Sequence, residues 1–142
     1  EVALTDDLTV TGPGSYPGFR VNLRAVGELT PTIAAIAAFA DGPSHLNGIG
    51  HLRGHETDRL AAIATELRRV GVAVEEREDG LDIDPAGRVA ESDATLQTYA
   101  DHRMATMAAV LALRIPGLKV ADPQTTTKTM PDFVARWEAM LA

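Results

Sequence analysis

Cysteine is absent from these 142 residues, and aromatic residues make up only 4% of them. Without cysteine the chain has no disulfides, no thiolate nucleophile and no cysteine-ligated zinc site. The four histidines also lack the spacing of a metal site, so we expect no metal. The scarcity of aromatic rings leaves little for unpaired bases to stack on, which argues against a nucleic-acid partner.

Positive charge is scarce as well, since 13 lysines and arginines face 20 acidic residues and the net charge is −7. The overall field of such a chain repels nucleic acid and anionic lipid, so an anionic ligand must be held by local cations. No apolar run approaches the roughly 18 residues of a membrane span, and no signal segment opens the chain. We therefore expect a cytoplasmic protein with no membrane partner.

The remaining composition is that of a folded protein, with 45% hydrophobic and 23% charged residues. This length and balance fit one globular domain with a substantial core, so we expect residues 1–142 to form a single domain. The chain begins at Glu1 without a methionine, which predicts a natural polypeptide that starts earlier.

A charged stretch at 53–59 (Arg-Gly-His-Glu-Thr-Asp-Arg) directly precedes an apolar run with helical spacing. Acidic side chains suit the positive end of a helix dipole, but Arg59 in the first turn does not. An anion bound nearby would resolve that conflict. The alternative is a capped surface helix whose ends are joined by salt bridges.

Strand and helix patterns alternate along the chain, with turn residues between them. Strands are predicted at 8–10, 19–23, 44–49 and 118–121, helices at 33–40, 60–70, 102–111 and from 131 onwards, and a hairpin at 72–75 and 81–83. Thr30 and Asp101 are the predicted N-caps of the first and third helices. Trp137, Met140 and Leu141 are predicted to anchor the last helix in the core.

Each predicted helix start carries charge, and the pattern recurs weakly after about 70 residues. In alternating βα units with parallel strands, helix starts tend to lie at one edge of the sheet. If these starts converge, they form a site for a ligand with several negative groups, with carboxylates placed for proton transfer. The residues are Glu28, Glu56, Arg59, His102, Arg103 and Lys128.

Three motifs in this order resemble the 5-enolpyruvylshikimate-3-phosphate (EPSP) synthase family. They are Glu-Thr-Asp-Arg-Leu-Ala-Ala at 56–62, Tyr-Ala-Asp-His-Arg-Met-Ala at 99–105 and Thr-Lys-Thr-Met-Pro-Asp at 127–132. The resemblance covers nearly the whole chain and weakens only in residues 1–24. The sister enolpyruvyl transferases that act on a UDP-sugar lack the Asp-His-Arg-Met pattern found at 101–104.

The resemblance implies an α/β fold of repeated βα units, part of an inside-out α/β barrel, in which helices pack on short-stranded sheets. It implies transfer of the enolpyruvyl group of phosphoenolpyruvate to the 5-hydroxyl of shikimate 3-phosphate, without metal or organic cofactor. This chain matches the C-terminal part of a two-domain enzyme, expected to be monomeric, whose active site lies between the domains. Only half of that site would be present here.

The family also implies a role for each residue that matches a motif. Arg59 and Arg103 are expected to grip the phosphoenolpyruvate carboxylate, and Lys128 its phosphate. Glu56 is the expected acid, with His102 hydrogen-bonding in the same site. The expected base and shikimate 3-phosphate ligand is Glu28, where the family usually has aspartate, and His55 replaces a lysine that contacts shikimate 3-phosphate in many members.

A second hypothesis from another class is an anion-binding module that kept the scaffold and lost the chemistry. The set of Glu56, His102 and Lys128 disfavours it, because a protein that only binds anions does not need proton-transfer groups.

Overall fold

Strands and helices alternate along the chain, as described by a computed structural model of residues 1–5 and 7–142. The α-helices are α1 (Thr30–Ala37), α2 (Arg59–Arg69), α3 (His102–Ala112) and α4 (Phe133–Leu141). The strands are β1 (Val2–Leu4), β2 (Leu8–Val10), β3 (Arg20–Asn22), β4 (Ser44–Asn47), β5 (Ala73–Arg77), β6 (Gly80–Asp84), β7 (Thr95–Leu96) and β8 (Lys119–Val120). Short 3-10 helices cover Arg24–Leu29, Gly50–Gly54, Pro85–Gly87 and Pro123–Lys128.

The main sheet has four strands in the order β3-β4-β6-β5. β3 and β4 run parallel and are connected through α1, whereas β6 pairs antiparallel with both β4 and β5. The register places Leu46 opposite Leu81, and both side chains are buried beneath the helices. The predicted hairpin is confirmed as β5 and β6, and the predicted parallel βα unit as β3, α1 and β4.

α2 forms where the apolar spacing predicts a helix, and its apolar face is buried through Leu60, Ile63 and Leu67. Asp58 is the N-cap, since its side chain accepts a hydrogen bond of 3.1 Å from the backbone N–H of Ala61. Gly71 ends the helix in the left-handed region, at φ +79°. A Cβ added there would lie 2.2 Å from the carbonyl oxygen of Gly87, so only glycine fits.

α1 and α3 pack against each other at the centre of the molecule. The contacting surface of α1 consists of fully buried alanines, which allow close approach of the two backbones. α3 contributes the larger side chains Met104, Met107 and Leu111, all fully buried. The core role predicted for the methionines of this helix is confirmed.

Two predictions about helix starts are wrong. α1 begins at Thr30 rather than after it, because the 3-10 helix Arg24–Leu29 runs directly into it. The Thr30 hydroxyl therefore makes no cap and is buried without a hydrogen-bond partner among the described residues. α4 begins at Phe133 with Asp132 at the N-cap position, so Pro131, the predicted first residue, lies outside the helix.

The predicted anchoring of α4 in the core is also wrong. None of its residues is buried, and Met140 and Leu141 are 61% and 59% exposed. Trp137 is half-buried and stacks on Phe133 of the same helix, with ring centroids 5.7 Å apart. An amphipathic pattern specifies an apolar face, but it does not guarantee that another element covers that face.

β1 and β7 have no clear sequence signal. β1 pairs antiparallel with β2, and β7 pairs parallel with β8 in a second small sheet. Across residues 1–5 and 7–142, every helix is too short or too polar to cross a membrane.

Candidate active site

Seven polar side chains from separate chain segments lie at one place. Glu28 lies in the 3-10 helix before α1, His55 and Glu56 lie in the turn before α2, Arg59 begins α2, His102 and Arg103 begin α3, and Lys128 ends the 3-10 helix before α4. The helix starts carry these side chains to one region because the elements pack side by side around α3. The helix starts that carry polar residues therefore lie together, and the roles of those residues stay a prediction.

The Glu28 carboxylate lies between two guanidinium groups. Arg59 Nη1 donates a hydrogen bond of 2.9 Å to Glu28 Oε2, and Arg103 Nε lies 2.7 Å from the same oxygen. His55 Nδ1 lies 3.4 Å from the other carboxylate oxygen. Glu28 is 47% exposed, so this cluster opens to the surface. The two arginines expected to grip one substrate carboxylate thus share a carboxylate of the protein.

Asp101 holds the same arginine from the buried side. Arg59 Nε donates a hydrogen bond of 2.6 Å to Asp101 Oδ2, and the side chains are only 2% and 0% exposed. Asp101 Oδ1 also accepts from the backbone N–H of Arg103 at 2.9 Å, which confirms the predicted N-cap. Sequence reasoning assigned Asp101 the cap alone and missed its charge pair. The second oxygen of a capping carboxylate, free to bind a cation, was the available signal.

This pair corrects one expectation about Arg59. Its unfavourable position at the start of α2 is offset by carboxylates of the chain, Asp101 and Glu28, so no external anion is needed to explain it.

Glu56, His102 and Lys128 form the other side of the site. Lys128 Nζ donates a hydrogen bond of 2.6 Å to Glu56 Oε1. His102 Nδ1 lies 3.9 Å from both Glu56 Oε2 and Asp101 Oδ1, too far for a direct hydrogen bond. This nitrogen is buried and has no hydrogen-bond partner in the described part of the chain. The imidazole therefore lies between two carboxylates, one on each side of the site.

The loop before α2 is held in place by Arg53. Its Nη1 contacts Asp58 at 3.0 Å and its Nη2 donates to the carbonyl oxygen of Arg77 at 2.9 Å, which ties the loop to β5. The charged stretch at 53–59 is thus divided in role. Arg53 and Asp58 shape the turn, whereas His55, Glu56 and Arg59 contact other residues of the site.

The surroundings shift the pKa of three site residues. Burial raises the pKa of the Asp101 carboxyl, but hydrogen bonds from Arg59 and the backbone of Arg103 outweigh it and hold the pKa below the usual range. Partial burial also raises the pKa of the Glu28 carboxyl. The opposing effect of Arg59 and Arg103 is larger, so this pKa is lowered as well. Burial, aided by repulsion from Arg103 and Lys128, lowers the pKa of His102, so its imidazole is neutral at pH 7.

The charges of the site balance when both histidines are neutral. Three cations, Arg59, Arg103 and Lys128, each contact at least one of three carboxylates, Glu28, Glu56 and Asp101. A dianion that enters this site must therefore displace an internal carboxylate or bring additional cations with it. The arrangement favours exchange of one carboxylate for another over simple capture of an anion.

A metal ion is disfavoured by the same charges. Glu56, Asp101 and His102 offer ligand atoms within 4.8 Å of one another. Lys128 and Arg59 already neutralise the two carboxylates, and a divalent cation would be repelled by both side chains.

Comparison with known proteins agrees with the motifs. A family model described as EPSP synthase (3-phosphoshikimate 1-carboxyvinyltransferase) matches residues 1–137, including the N-terminal part where the motifs are weakest. The chain belongs to the EPSP synthase family. Relatives named 3-phosphoshikimate 1-carboxyvinyltransferase are 53% identical over 133 residues in Kocuria rhizophila and 52% identical over 138 residues in Bifidobacterium longum.

The chain spans only 29% and 30% of the length of these two relatives, although the two alignments cover 94% and 97% of the chain.

Solved structures confirm the predicted fold of the chain. The EPSP synthase of Acinetobacter baumannii superposes with a TM-score of 0.76 and 24% identity, covering 85% of this chain and 29% of that one. NikO of Streptomyces tendae, described as an enolpyruvyl transferase, superposes with a TM-score of 0.75 and 17% identity over 98% of this chain and 32% of its own. At these identities the likeness establishes the fold alone.

Proposed function

We propose that this chain carries part of the active site of a 3-phosphoshikimate 1-carboxyvinyltransferase. The complete enzyme would move the enolpyruvyl group of phosphoenolpyruvate onto the 5-hydroxyl of shikimate 3-phosphate and release phosphate. The observation that carries the proposal is the convergence of the motif residues, from Glu28 to Lys128, into one set of polar contacts in a chain of this family.

The geometry supports a division of roles within the site. Arg103, 34% exposed, is the accessible partner for the phosphoenolpyruvate carboxylate, and Lys128, 43% exposed, is the partner for its phosphate. Glu56 lies beside Lys128 and is the proposed acid for the methylene carbon. His102, whose pKa is lowered by burial, is the proposed hydrogen-bonding residue of the same site. His55 is the proposed contact to shikimate 3-phosphate.

Glu28 has two successive roles in this proposal. In the structure its carboxylate lies between Arg59 and Arg103, at the position proposed for the substrate carboxylate. An incoming phosphoenolpyruvate would displace it, because two carboxylates cannot share one face of a guanidinium pair without repulsion. Once released, Glu28 is free to accept the proton of the 5-hydroxyl.

The charge balance supports a site that is completed elsewhere in the protein. Three cations are already neutralised by three carboxylates, whereas the two proposed substrates are both polyanions. We propose that residues 1–142 are the C-terminal part of a two-domain enzyme, and that further cations come from the part of the relatives' length that this chain does not span.

Two polypeptides tested side by side decide between the alternatives. The complete enzyme should release phosphate from phosphoenolpyruvate and shikimate 3-phosphate, whereas the 142-residue chain should not. By calorimetry the chain should bind phosphoenolpyruvate with a Kd of about 1 mM or weaker, equivalent to about −4 kcal/mol. Turnover by the chain alone would contradict the divided site. No turnover by the complete polypeptide would instead leave the anion-binding module.

The exchange at Glu28 can be tested separately with Glu28→Gln in the complete enzyme. Removal of the competing charge should tighten phosphoenolpyruvate binding by about tenfold, the scale of one charge-assisted contact. Turnover should fall by about 100-fold if Glu28 is the base. Glu91→Gln, on the exposed loop before β7, is the matched control and should change neither quantity. Unchanged affinity in Glu28→Gln would show that the two carboxylates do not compete.

A further inference from the structure

A buried carboxylate on α2 takes no part in the proposed chemistry. Glu66 lies two helical turns after Arg59 and is 0% exposed. It accepts hydrogen bonds from the Tyr99 hydroxyl at 2.6 Å and from the backbone N–H of Gln97 at 3.0 Å, and it pairs with Arg69 Nε at 3.2 Å. Two of these three contacts reach the segment that leads into α3.

That segment has an unusual backbone conformation. Tyr99 and Ala100 both have a φ of +54°, in the left-handed region that glycine favours and side chains with a Cβ disfavour. Asp101 and the start of α3 follow at once. Two consecutive non-glycine residues in this region persist only when surrounding contacts hold them there.

α2 holds the segment at two points. Near its start, Arg59 bonds Asp101, and two turns later, on the same face of the helix, Glu66 bonds Tyr99 and Gln97. The strained pair lies between these attachment points in sequence, so both ends of the turn are fixed to one rigid helix. The direction in which Asp101, His102 and Arg103 leave the turn depends on both attachments.

We propose that Glu66 and Tyr99 are positioning residues, which hold the 99–100 turn so that Asp101, His102 and Arg103 meet Arg59 and Glu56. The inference rests on the proposed function for its kinetic consequence. Burial and the neighbouring Glu66 carboxylate raise the pKa of Tyr99 to about 12, so the hydroxyl remains a donor throughout the working pH range.

Tyr99→Phe is the most direct test, because it removes the hydroxyl and keeps the ring. In the complete enzyme, kcat/KM for phosphoenolpyruvate should fall by about tenfold, the equivalent of one charge-assisted hydrogen bond. Tyr16→Phe is the matched control, since its hydroxyl bonds the carbonyl oxygen of Ile36 at 2.7 Å away from the site. That variant should retain kcat/KM within about twofold.

A glycine in the strained turn separates positioning from general stability. Ala100→Gly removes the Cβ that disfavours the left-handed region, so in the Tyr99→Phe background it should recover the conformation and most of the lost kcat/KM. Equal kinetics in Tyr99→Phe and Tyr16→Phe would overturn the proposal. So would a loss in Tyr99→Phe that merely follows the fraction of folded protein.

Amide hydrogen exchange on the 142-residue chain tests the positioning without any assay of turnover. In Glu66→Gln, the Arg103 amide, which bonds Asp101, should exchange at least about tenfold faster, while amides in the middle of α3 remain protected. Glu75→Gln on β5 is the control, because Glu75 is 63% exposed and pairs only with Arg77 among the described residues. Unchanged exchange of the Arg103 amide would overturn the proposal even if the complete enzyme is active. An inactive wild-type enzyme with faster exchange in Glu66→Gln would overturn only the assigned function.

Discussion

Replacement of Asp101 by asparagine should destabilise the chain more than any other single loss of charge in the site. Asparagine keeps the shape of the side chain and caps a helix as well as aspartate does, so the bond to the Arg103 amide survives. What is lost is the negative charge opposite Arg59, whose side chain is 2% exposed and cannot turn to water.

The magnitude follows from the partners that remain. Removal of one member of a buried ion pair costs about 3 to 5 kcal/mol, because the other charge stays buried without compensation. Arg59 retains Glu28 at 2.9 Å, which places the expected loss near the lower limit, at about 3 kcal/mol. For a domain of this size that corresponds to a fall in melting temperature of about 10 °C.

Urea and thermal unfolding followed by circular dichroism measure this loss. The matched control is Asp132→Asn. Asp132 also precedes a helix and pairs with an arginine, Arg136, at 2.6 Å, but the two side chains are 53% and 66% exposed. It should cost at most about 0.5 kcal/mol. A loss below about 1 kcal/mol in Asp101→Asn would refute the reasoning and show that Arg59 finds another partner.

Four further predictions follow from the site. The pKa of Asp101 is lower in the folded chain than in the unfolded chain. Its contribution to the free energy of unfolding is therefore complete above the unfolded pKa of about 3.9 and is lost as the pH falls through the folded pKa. The stability difference between wild type and Asp101→Asn should accordingly narrow below about pH 4. Glu56→Gln in the complete enzyme should lower kcat by about 100-fold while phosphoenolpyruvate binding stays within about threefold, and near-normal turnover would remove Glu56 from the mechanism. Arg103→Ala should weaken phosphoenolpyruvate binding measured by calorimetry by about 10- to 100-fold, with a much smaller effect on kcat. Ala100→Gly alone should raise the free energy of unfolding by about 0.5 kcal/mol, since relief of the left-handed strain exceeds the added entropy of the unfolded chain.

The elements that sequence patterns predict well are those specified by neighbouring residues. α2 carries its apolar spacing, its cap Asp58 and its terminal Gly71 within a few residues of one another, and the β5–β6 hairpin follows directly. Thr30 shows the limit of such local rules. Its Thr-Pro pair has the composition of a helix start, but the preceding 3-10 helix extends the helical backbone past it.

The long-range contacts of the site lie beyond these patterns. Charge at each helix start is visible in the sequence, and so is the family motif that contains it. The pairing of Arg59 with Asp101 joins residues 42 positions apart, and its strength depends on burial that no local pattern reports. The same holds for Glu66 and Tyr99, which look like surface residues of a helix and a loop until the fold brings them together.

The position of Glu28 determines how the two sides of the site must work together. Its carboxylate pairs with Arg59 and Arg103, whereas the Glu56 carboxylate pairs with Lys128. Each cation that is proposed to bind substrate is therefore already neutralised by a carboxylate of the chain. Because these cations are already paired, they attract unrelated anions only weakly. A ligand replaces the internal carboxylates only if it offers a carboxylate and a phosphate at the right separation. Phosphoenolpyruvate has both groups, and inorganic phosphate has one. The internal carboxylates would then exclude other anions, and Glu28→Gln, which frees Arg59 and Arg103, should bind inorganic phosphate several-fold more tightly than wild type does. Calorimetric titrations of inorganic phosphate on wild type and variant measure that gain, and unchanged phosphate affinity would refute the role of Glu28 in excluding other anions.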